Sequence, residues 1–297
     1  MTPDYKIRYQ QDYASILFTA MTGDCEIRVD TLGAATVEQI AALAYHQVLR
    51  IEHKFSRYRT DNICYRINTS RGDTIPIDAE LYRLLTYADK CYQSSDGLFD
   101  LTSGILRRAW PFDEYTSTPN EMRIKALLQL VGWQKIEYNQ NTITMPPGME
   151  IDFGAIAKEY AAGLIAQACR QLTPDLSILI NLGGDIQITQ PRKNRQPWLL
   201  ELPVGSKQTA KTKTFELIDG ALACSRQASR FAEIDGRTYS HILNPKTGWP
   251  VENAPSSVTV MAPNCIQAGS LATIAMLKGE QASEFLLSRG VNYHIEL

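Results

Sequence analysis

Apolar and polar residues alternate through residues 15–29, a stretch rich in Ile, Phe and Val, and this predicts two strands around a turn at Thr22-Gly23-Asp24. The period then lengthens. Over 36–55 apolar residues recur at helical spacing, which predicts a long helix. Residues 79–94 predict a second helix, stopped by Ser95-Asp96-Gly97. Residues 119–131 predict a third, with Thr118 as its N-cap and Pro119 preset for the first helical position. A hairpin is predicted over 136–144, a helix over 155–172 and a strand over 177–180. That strand runs into Asn181-Leu182-Gly183-Gly184-Asp185. Strands dominate 198–260, a last helix spans about 267–277, and 291–295 closes the chain as a strand. Without a repeat period, a low-complexity segment or a linker, the pattern predicts one α+β domain over 1–297, with room for two lobes. The long segment 107–118 is expected to cover a ligand pocket.

A chain of 297 residues that is 44% hydrophobic can bury a core without metals or disulfides to hold it. The net charge of −2 and the lack of a long basic run argue against nucleic acid as a partner. The lysines of 207–213 read as an exposed hairpin connection. No window approaches the length of a membrane span, and the N-terminus shows neither an apolar leader nor a lipobox cysteine, so a cytoplasmic protein is expected. The six cysteines lack the paired spacing of a zinc site and are expected to be reduced and mostly buried. Cys224 is placed in a loop near the candidate chemistry.

That chemistry centres on Ile151-Asp152-Phe153-Gly154-Ala155-Ile156-Ala157-Lys158, where a carboxylate, a glycine turn and an ammonium meet the start of a helix. First-turn amides lack intrahelical partners and carry the positive end of the helix dipole, so an anion can settle there. A strand-glycine-helix turn with one lysine also arises for purely structural reasons. Tyr58, after a helix and in a loop running to Asn68, could stack on a ligand ring or cap the core. Asp96-Gly97-Leu98-Phe99-Asp100 sets two acids around a turn, with Phe99 plugged into the core. His241, in Tyr239 to Gly248, could be a general acid/base or phosphate partner, or could hold its turn. Ala268-Gly269-Ser270-Leu271-Ala272-Thr273 offers a second helix start and a hydroxyl able to ligate magnesium. Two helix starts, near 155 and 270, could clasp one pyrophosphate.

Taken in order, these segments resemble the ApbE family of flavin transferases, which cut FAD and attach its FMN half through a phosphoester to a Thr or Ser of an acceptor protein. The resemblance rests on Met21-Thr22-Gly23, Phe55-Ser56-Arg57-Tyr58 to Asn68, Asp96 to Asp100, Asp152 to Lys158, Asn181 to Asp185, His241 to Gly248 and Ala268 to Thr273. It implies an ApbE-like (T-fold-like) mixed sheet with packed helices. FAD is the implied substrate, lined by Met21, Tyr58, Leu98, Phe99, Asp100, Asp152, Lys158 and Ile242. Asp152, Lys158 and His241 would be the catalytic residues. The Ala155 carbonyl and Thr273 would hold magnesium, and the implied partner is a flavoprotein with an FMN-binding domain.

The chain departs from the family pattern at several positions. Gly269 stands where the family has a metal-binding Asp, and losing that carboxylate should weaken magnesium binding. Glu159 replaces the usual Gly, Gly163 a common Asp, and Arg226 and Ala228 are foreign to their segment. Two readings follow: a transferase in which Arg226 or Lys278 supplies compensating charge, or an FAD-binding protein or FAD pyrophosphatase with a degenerate metal site.

Overall fold

In the computed structural model the described residues are 4–110, 119–205, 211–227, 231–234 and 237–297, the backbone alone being described for 231–234 and 237–239. The chain opens with β1 (Lys6–Tyr9), β2 (Ala14–Ala20) and β3 (Gly23–Val29). The β2-β3 turn is Met21-Thr22, not the predicted 22–24: Ala20 pairs with Gly23, and Met21 and Thr22 take φ of 52° and 63°. Positive φ at both central residues gives a two-residue turn the twist of its strands. Gly23 has a different task, because its backbone passes close to Gly183, whose Cα would lie 3.8 Å from a Cβ at 23.

α1 (Ala34–Phe55) matches the helical period and buries Val37, Ile40, Ala41, Ala44, Val48, Ile51 and Phe55 as one stripe. The loop expected up to Asn68 contains a helix, α2 (Ile63–Asn68), capped by Asn62, whose side chain accepts the Tyr65 N–H at 2.8 Å. β4 (Ile75–Pro76) leads to α3 (Ala79–Ser94), with Asp78 as cap. α4 (Glu121–Leu128) is shorter than predicted. Its cap is Asn120, which accepts the Met122 N–H, and Pro119 lies before the helix; Thr118 falls outside the described residues.

β5 (Glu137–Tyr138) and β6 (Thr142–Thr144) form the predicted hairpin. A 3-10 turn, Phe153–Ala155, then precedes α5 (Ala157–Leu172), so the helix begins later than 155. After α5 come β7 (Ile178–Leu182), β8 (Asp185–Ile188), β9 (Trp198–Val204), β10 (Lys211–Leu217), β11 (Ala221–Arg226), β12 (Phe231–Ile234), β13 (Arg237–Ser240) and β14 (Ser257–Ala262). α6 (Cys265–Lys278) is followed by a helix the pattern did not predict, α7 (Ala282–Ser288), and by β15 (Asn292–Glu296).

Eight strands form one sheet in the order β1-β2-β3-β7-β8-β11-β14-β15. Every pairing in it is antiparallel, which narrows the expected mixed sheet. Helices α1, α5 and α6 pack on one face, and the β9-β10 hairpin closes the other with Trp198, Leu200, Leu202 and Phe215. β7 is therefore buried on both sides: Ile178, Ile180 and Leu182 join the helix-side core and Leu179 the hairpin side. In β8 the alternation sends Ile186 and Ile188 to the hairpin and leaves Asp185 and Gln187 for the helices. Gln187 accepts the Cys265 N–H at 2.9 Å, which pins the start of α6 to the sheet. No helix among the described residues is long and apolar enough to cross a membrane.

Candidate functional site

Asp152 is held from four directions. The Asn68 amide bridges the backbone of its neighbour Ile151, accepting the N–H at 2.7 Å and donating to the carbonyl at 3.0 Å. The Asp152 N–H donates to the Leu101 carbonyl at 3.0 Å. Its Oδ1 accepts the Gly154 N–H at 2.9 Å, which caps the 3-10 turn, and its Oδ2 is ion-paired with the Arg57 guanidinium. Gly104 lies against it so closely that a Cβ there would sit 2.5 Å from the Asp152 Cβ. Arg57 also donates to the Tyr58 hydroxyl at 2.8 Å and lies 4.9 Å from the ring centroid. With Tyr58 65% exposed, the ring does not cap the core; it faces outward beside the carboxylate.

Lys158 projects from the first turn of α5, its Nζ 2.9 Å from Asp185 Oδ2. A Cβ on Gly183 would lie 3.7 Å from the same Nζ, so the lysine rests over the Gly183-Gly184 turn. That turn has φ of 68° and 98° and is tied by the Asn181 side chain, which accepts the Gly184 N–H at 2.8 Å. The Asp185 carboxylate raises the Lys158 pKa against the opposing effect of burial, while burial raises that of Asp185. Lys158 is a fixed cation at neutral pH.

The segment 268–273 lies inside α6, not at its start. The helix begins at Cys265, and two of its first three amides are already used: Cys265 donates to Gln187, and Gln267 to the side chain of the cap Asn264 at 3.0 Å. An anion held by two helix N-termini is therefore not what this arrangement offers. α6 meets α5 and the 3-10 turn flank to flank. At the crossing a Cβ on Gly269 would fall 2.4 Å from Glu159 Oε1 and 2.6 Å from its Cγ. Glu159 is 6% exposed, and its Oε2 has no hydrogen-bond partner among the described residues. Ala155 and Thr273, both half-buried, lie on these two facing elements. Among the described residues no three His, Cys, Asp or Glu side chains cluster to hold a metal by themselves, so an ion here would need carbonyl and hydroxyl oxygens as well.

Other predicted residues serve the frame. Phe99 is 2% exposed, and Asp100 turns inward to accept from the Thr102 N–H and hydroxyl and the Trp133 N–H; Leu98 beside them is half-buried. The Met21 N–H donates to Glu52 at 2.9 Å, tying the β2-β3 turn to α1. His241 and Ile242 follow β13 and enter a turn in which the Asn244 carbonyl accepts the Gly248 N–H at 2.8 Å. The Trp110 indole N–H donates to the Gly248 carbonyl at 2.8 Å, and Ile242 packs on the main core. Cys224 lies in β11 and not in a loop. Burial pushes its thiol pKa up and outweighs the hydrogen bond that its sulfur accepts from the Thr259 hydroxyl, so it is a poor nucleophile. All six cysteines are free. Lys278 is about 13 Å along α6 from Gly269 and pairs with Asp96 at 2.6 Å, so it does not supply charge to the crossing.

Two cavities are lined by neither Asp152, Lys158 nor Glu159. One of about 680 Å³ is lined by Arg50, Lys54, Asn62, Arg66 and Asp78, and one of about 430 Å³ flanks α6 at Tyr87, Cys91, Ile266 and Ser270. Residues 111–118, within the segment expected to cover a pocket, are outside the described residues. Sequence reasoning missed Gly104, Arg57 as a partner of Asp152, and the contact between Glu159 and Gly269.

A sequence profile of the ApbE family matches residues 21–295. A protein of Chlamydia pneumoniae named FAD:protein FMN transferase is 28% identical over 250 residues, 82% of this chain and 76% of that protein. The ApbE protein of Thermotoga maritima superposes with a TM-score of 0.86 at 26% identity, covering 95% of this chain and 94% of the other. The apo flavinyl transferase ApbE of Pseudomonas stutzeri, at 24% identity, covers 98% and 91% with a TM-score of 0.82 and bears on the fold alone.

Proposed function

Because this chain belongs to the ApbE family, we propose that it transfers FMN from FAD to a Thr or Ser hydroxyl of an acceptor flavoprotein, forming a phosphoester and releasing AMP. The observation that carries this reading is the Lys158 ammonium, held by Asp185 over a glycine turn and six residues after the anchored Asp152. A fixed cation at an open glycine turn suits a diphosphate, because its charge is already oriented when the reacting phosphorus gains charge.

The acceptor oxygen attacks the phosphorus on the FMN side, and the bond to the AMP oxygen breaks, so no enzyme nucleophile is needed. His241 takes the hydroxyl proton. Lys158 offsets part of the charge of the diphosphate. Asp152, fixed by Arg57 and by the Asn68 anchor on Ile151, orients the reacting end. The outward ring of Tyr58 gives a flavin or adenine a stacking face. The main-chain carbonyl of Ala155 and the hydroxyl of Thr273 would hold a magnesium ion, which when bound would offset the charge of the leaving AMP.

The test is to incubate the protein with FAD, magnesium and an FMN-binding domain bearing an acceptor Thr, then measure protein-bound flavin and free AMP. Stoichiometric covalent flavin and AMP are expected. AMP without labelled acceptor would make the protein a pyrophosphatase, and FAD retained without either product would make it a binding protein.

A further inference from the structure

Two departures from the family pattern, far apart in sequence, meet in space. The family pattern that the sequence resembles has an Asp at position 269 and a Gly at position 159, whereas this chain has Gly269 and Glu159. The Glu159 Cγ, Cδ and Oε1 lie 2.6, 2.9 and 2.4 Å from where a Cβ on Gly269 would be. Glu159 therefore occupies the place from which an Asp side chain at 269 would grow. The two changes exchange the carboxylate between α5 and α6 and keep it at the same crossing.

We propose that Glu159 is this chain's replacement metal ligand, completing with the Ala155 carbonyl and the Thr273 hydroxyl an all-oxygen set for a hard divalent cation. This rests on the family reading of Ala155 and Thr273 given above. Gly269 and Thr273 are four residues apart within α6, so they lie about one turn apart on the face that meets Glu159, and Ala155 ends the 3-10 turn that packs on α6 just ahead of α5. Glu159 is 6% exposed, yet its Oε2 has no hydrogen-bond partner among the described residues. An acceptor so buried and unsatisfied is costly without a cation or a proton to meet it. The nearby Lys158 ammonium bonds Asp185 and makes no hydrogen bond to Oε2. Oxygen donors with one carboxylate suit magnesium or manganese and not zinc.

The exchange also changes what repairs the site. Gly269→Asp alone cannot restore the family arrangement, because its Cβ would collide with Glu159. The paired variant Glu159→Gly with Gly269→Asp can.

The experiment is a manganese titration of the full chain, with and without FAD, followed by electron paramagnetic resonance of free Mn2+ and by the magnesium-dependent rise in Tm. Wild-type protein should bind Mn2+ and gain Tm. Glu159→Gln, which preserves shape, should weaken Mn2+ binding about tenfold or more and lose most of the Tm gain. The Glu159→Gly, Gly269→Asp pair should recover both, and Gly269→Asp alone should not. Mn2+ affinity unchanged in Glu159→Gln, or a paired variant no better than Glu159→Gly, would overturn the proposal. Flavin transfer is scored separately. Mn2+ held through Glu159 without transfer would sink the function and leave the ligand exchange standing, whereas transfer by a protein that binds no Mn2+ would do the reverse.

Discussion

The Lys158 ammonium lies 2.9 Å from Asp185 Oδ2 and so ties the first turn of α5 to the strand that follows the Gly183-Gly184 turn. Asp185 is buried, whereas the Lys158 side chain keeps a third of its surface in solvent. The pair thus works as a mount: the carboxylate is sunk in the sheet and the cation is presented at the turn.

Lys158→Met should lower flavin transfer at least a hundredfold, because an oriented charge that stabilises a transition state contributes about that much or more. It should also cost about 2 kcal/mol of stability by stranding a buried carboxylate, a value reduced from that of a fully buried pair because the lysine is partly exposed. Adding Asp185→Asn should restore most of the stability and none of the transfer. Urea denaturation alongside the transfer assay separates the two effects.

Gly104→Ala tests how tightly Asp152 is seated. A methyl group would come within 2.5 Å of the Asp152 Cβ, and the neighbour is near backbone and unable to swing aside. The expected loss is about 1–3 kcal/mol from overpacking, with a larger fall in kcat than in FAD affinity. A variant as stable and as active as the parent would show that the 3-10 turn at Leu101–Arg108 can move away freely.

What could be seen in the sequence was what is written locally. α3 matches the predicted 79–94 because Ser95-Asp96-Gly97 stops it in adjacent sequence, Gly97 taking φ of 79°. α2 is six residues long and shows no full hydrophobic period, so the pattern there reads as loop. α6 starts ahead of the predicted 267 because Asn264 caps it, while Cys265 and Ile266 are apolar like the residues that follow and mark no boundary by themselves. The candidate site was visible as motifs but not as contacts. Glu159 and Gly269 each stood out as departures, yet only the crossing of two helices shows that one fills the space left by the other. Asn68 and Gly104 act on Asp152 from distant positions, which no local pattern reports.

Glu80 links three helices: Arg50 and Lys54 of α1 donate to its oxygens at 2.6–2.9 Å, and the Tyr160 hydroxyl of α5 donates at 3.1 Å. Burial opposes its ionisation, but the hydrogen bonds and charges of Arg50 and Lys54 outweigh that and hold its pKa down to about 2. A carboxylate with a lowered folded-state pKa stabilises the fold above its ordinary value of 4.5, and that contribution is lost as pH falls through about 2. Glu80→Gln should therefore be less stable than the parent at pH 6, with the gap closing between pH 4.5 and 2. A gap that stays constant over that range would mean that the charge of Glu80 does not contribute.

Tyr58 offers the cleanest separation of binding from folding. Its ring is 65% exposed and stacks on the Arg57 guanidinium, which is already ion-paired with Asp152. Removing the ring takes little apolar surface out of the core, so Tyr58→Ala should change the Tm by little. If the ring stacks on FAD, its loss should raise the FAD Kd about tenfold, since stacking a base on an aromatic side chain is worth about 1–3 kcal/mol. Tyr58→Phe should retain the affinity, because the stacking face remains and only the hydroxyl accepting from Arg57 is lost. Fluorescence titration of FAD against the three proteins decides the matter. Unchanged affinity in Tyr58→Ala would remove the ring from the pocket and leave its pairing with Arg57 as its contribution, through the orientation of Asp152.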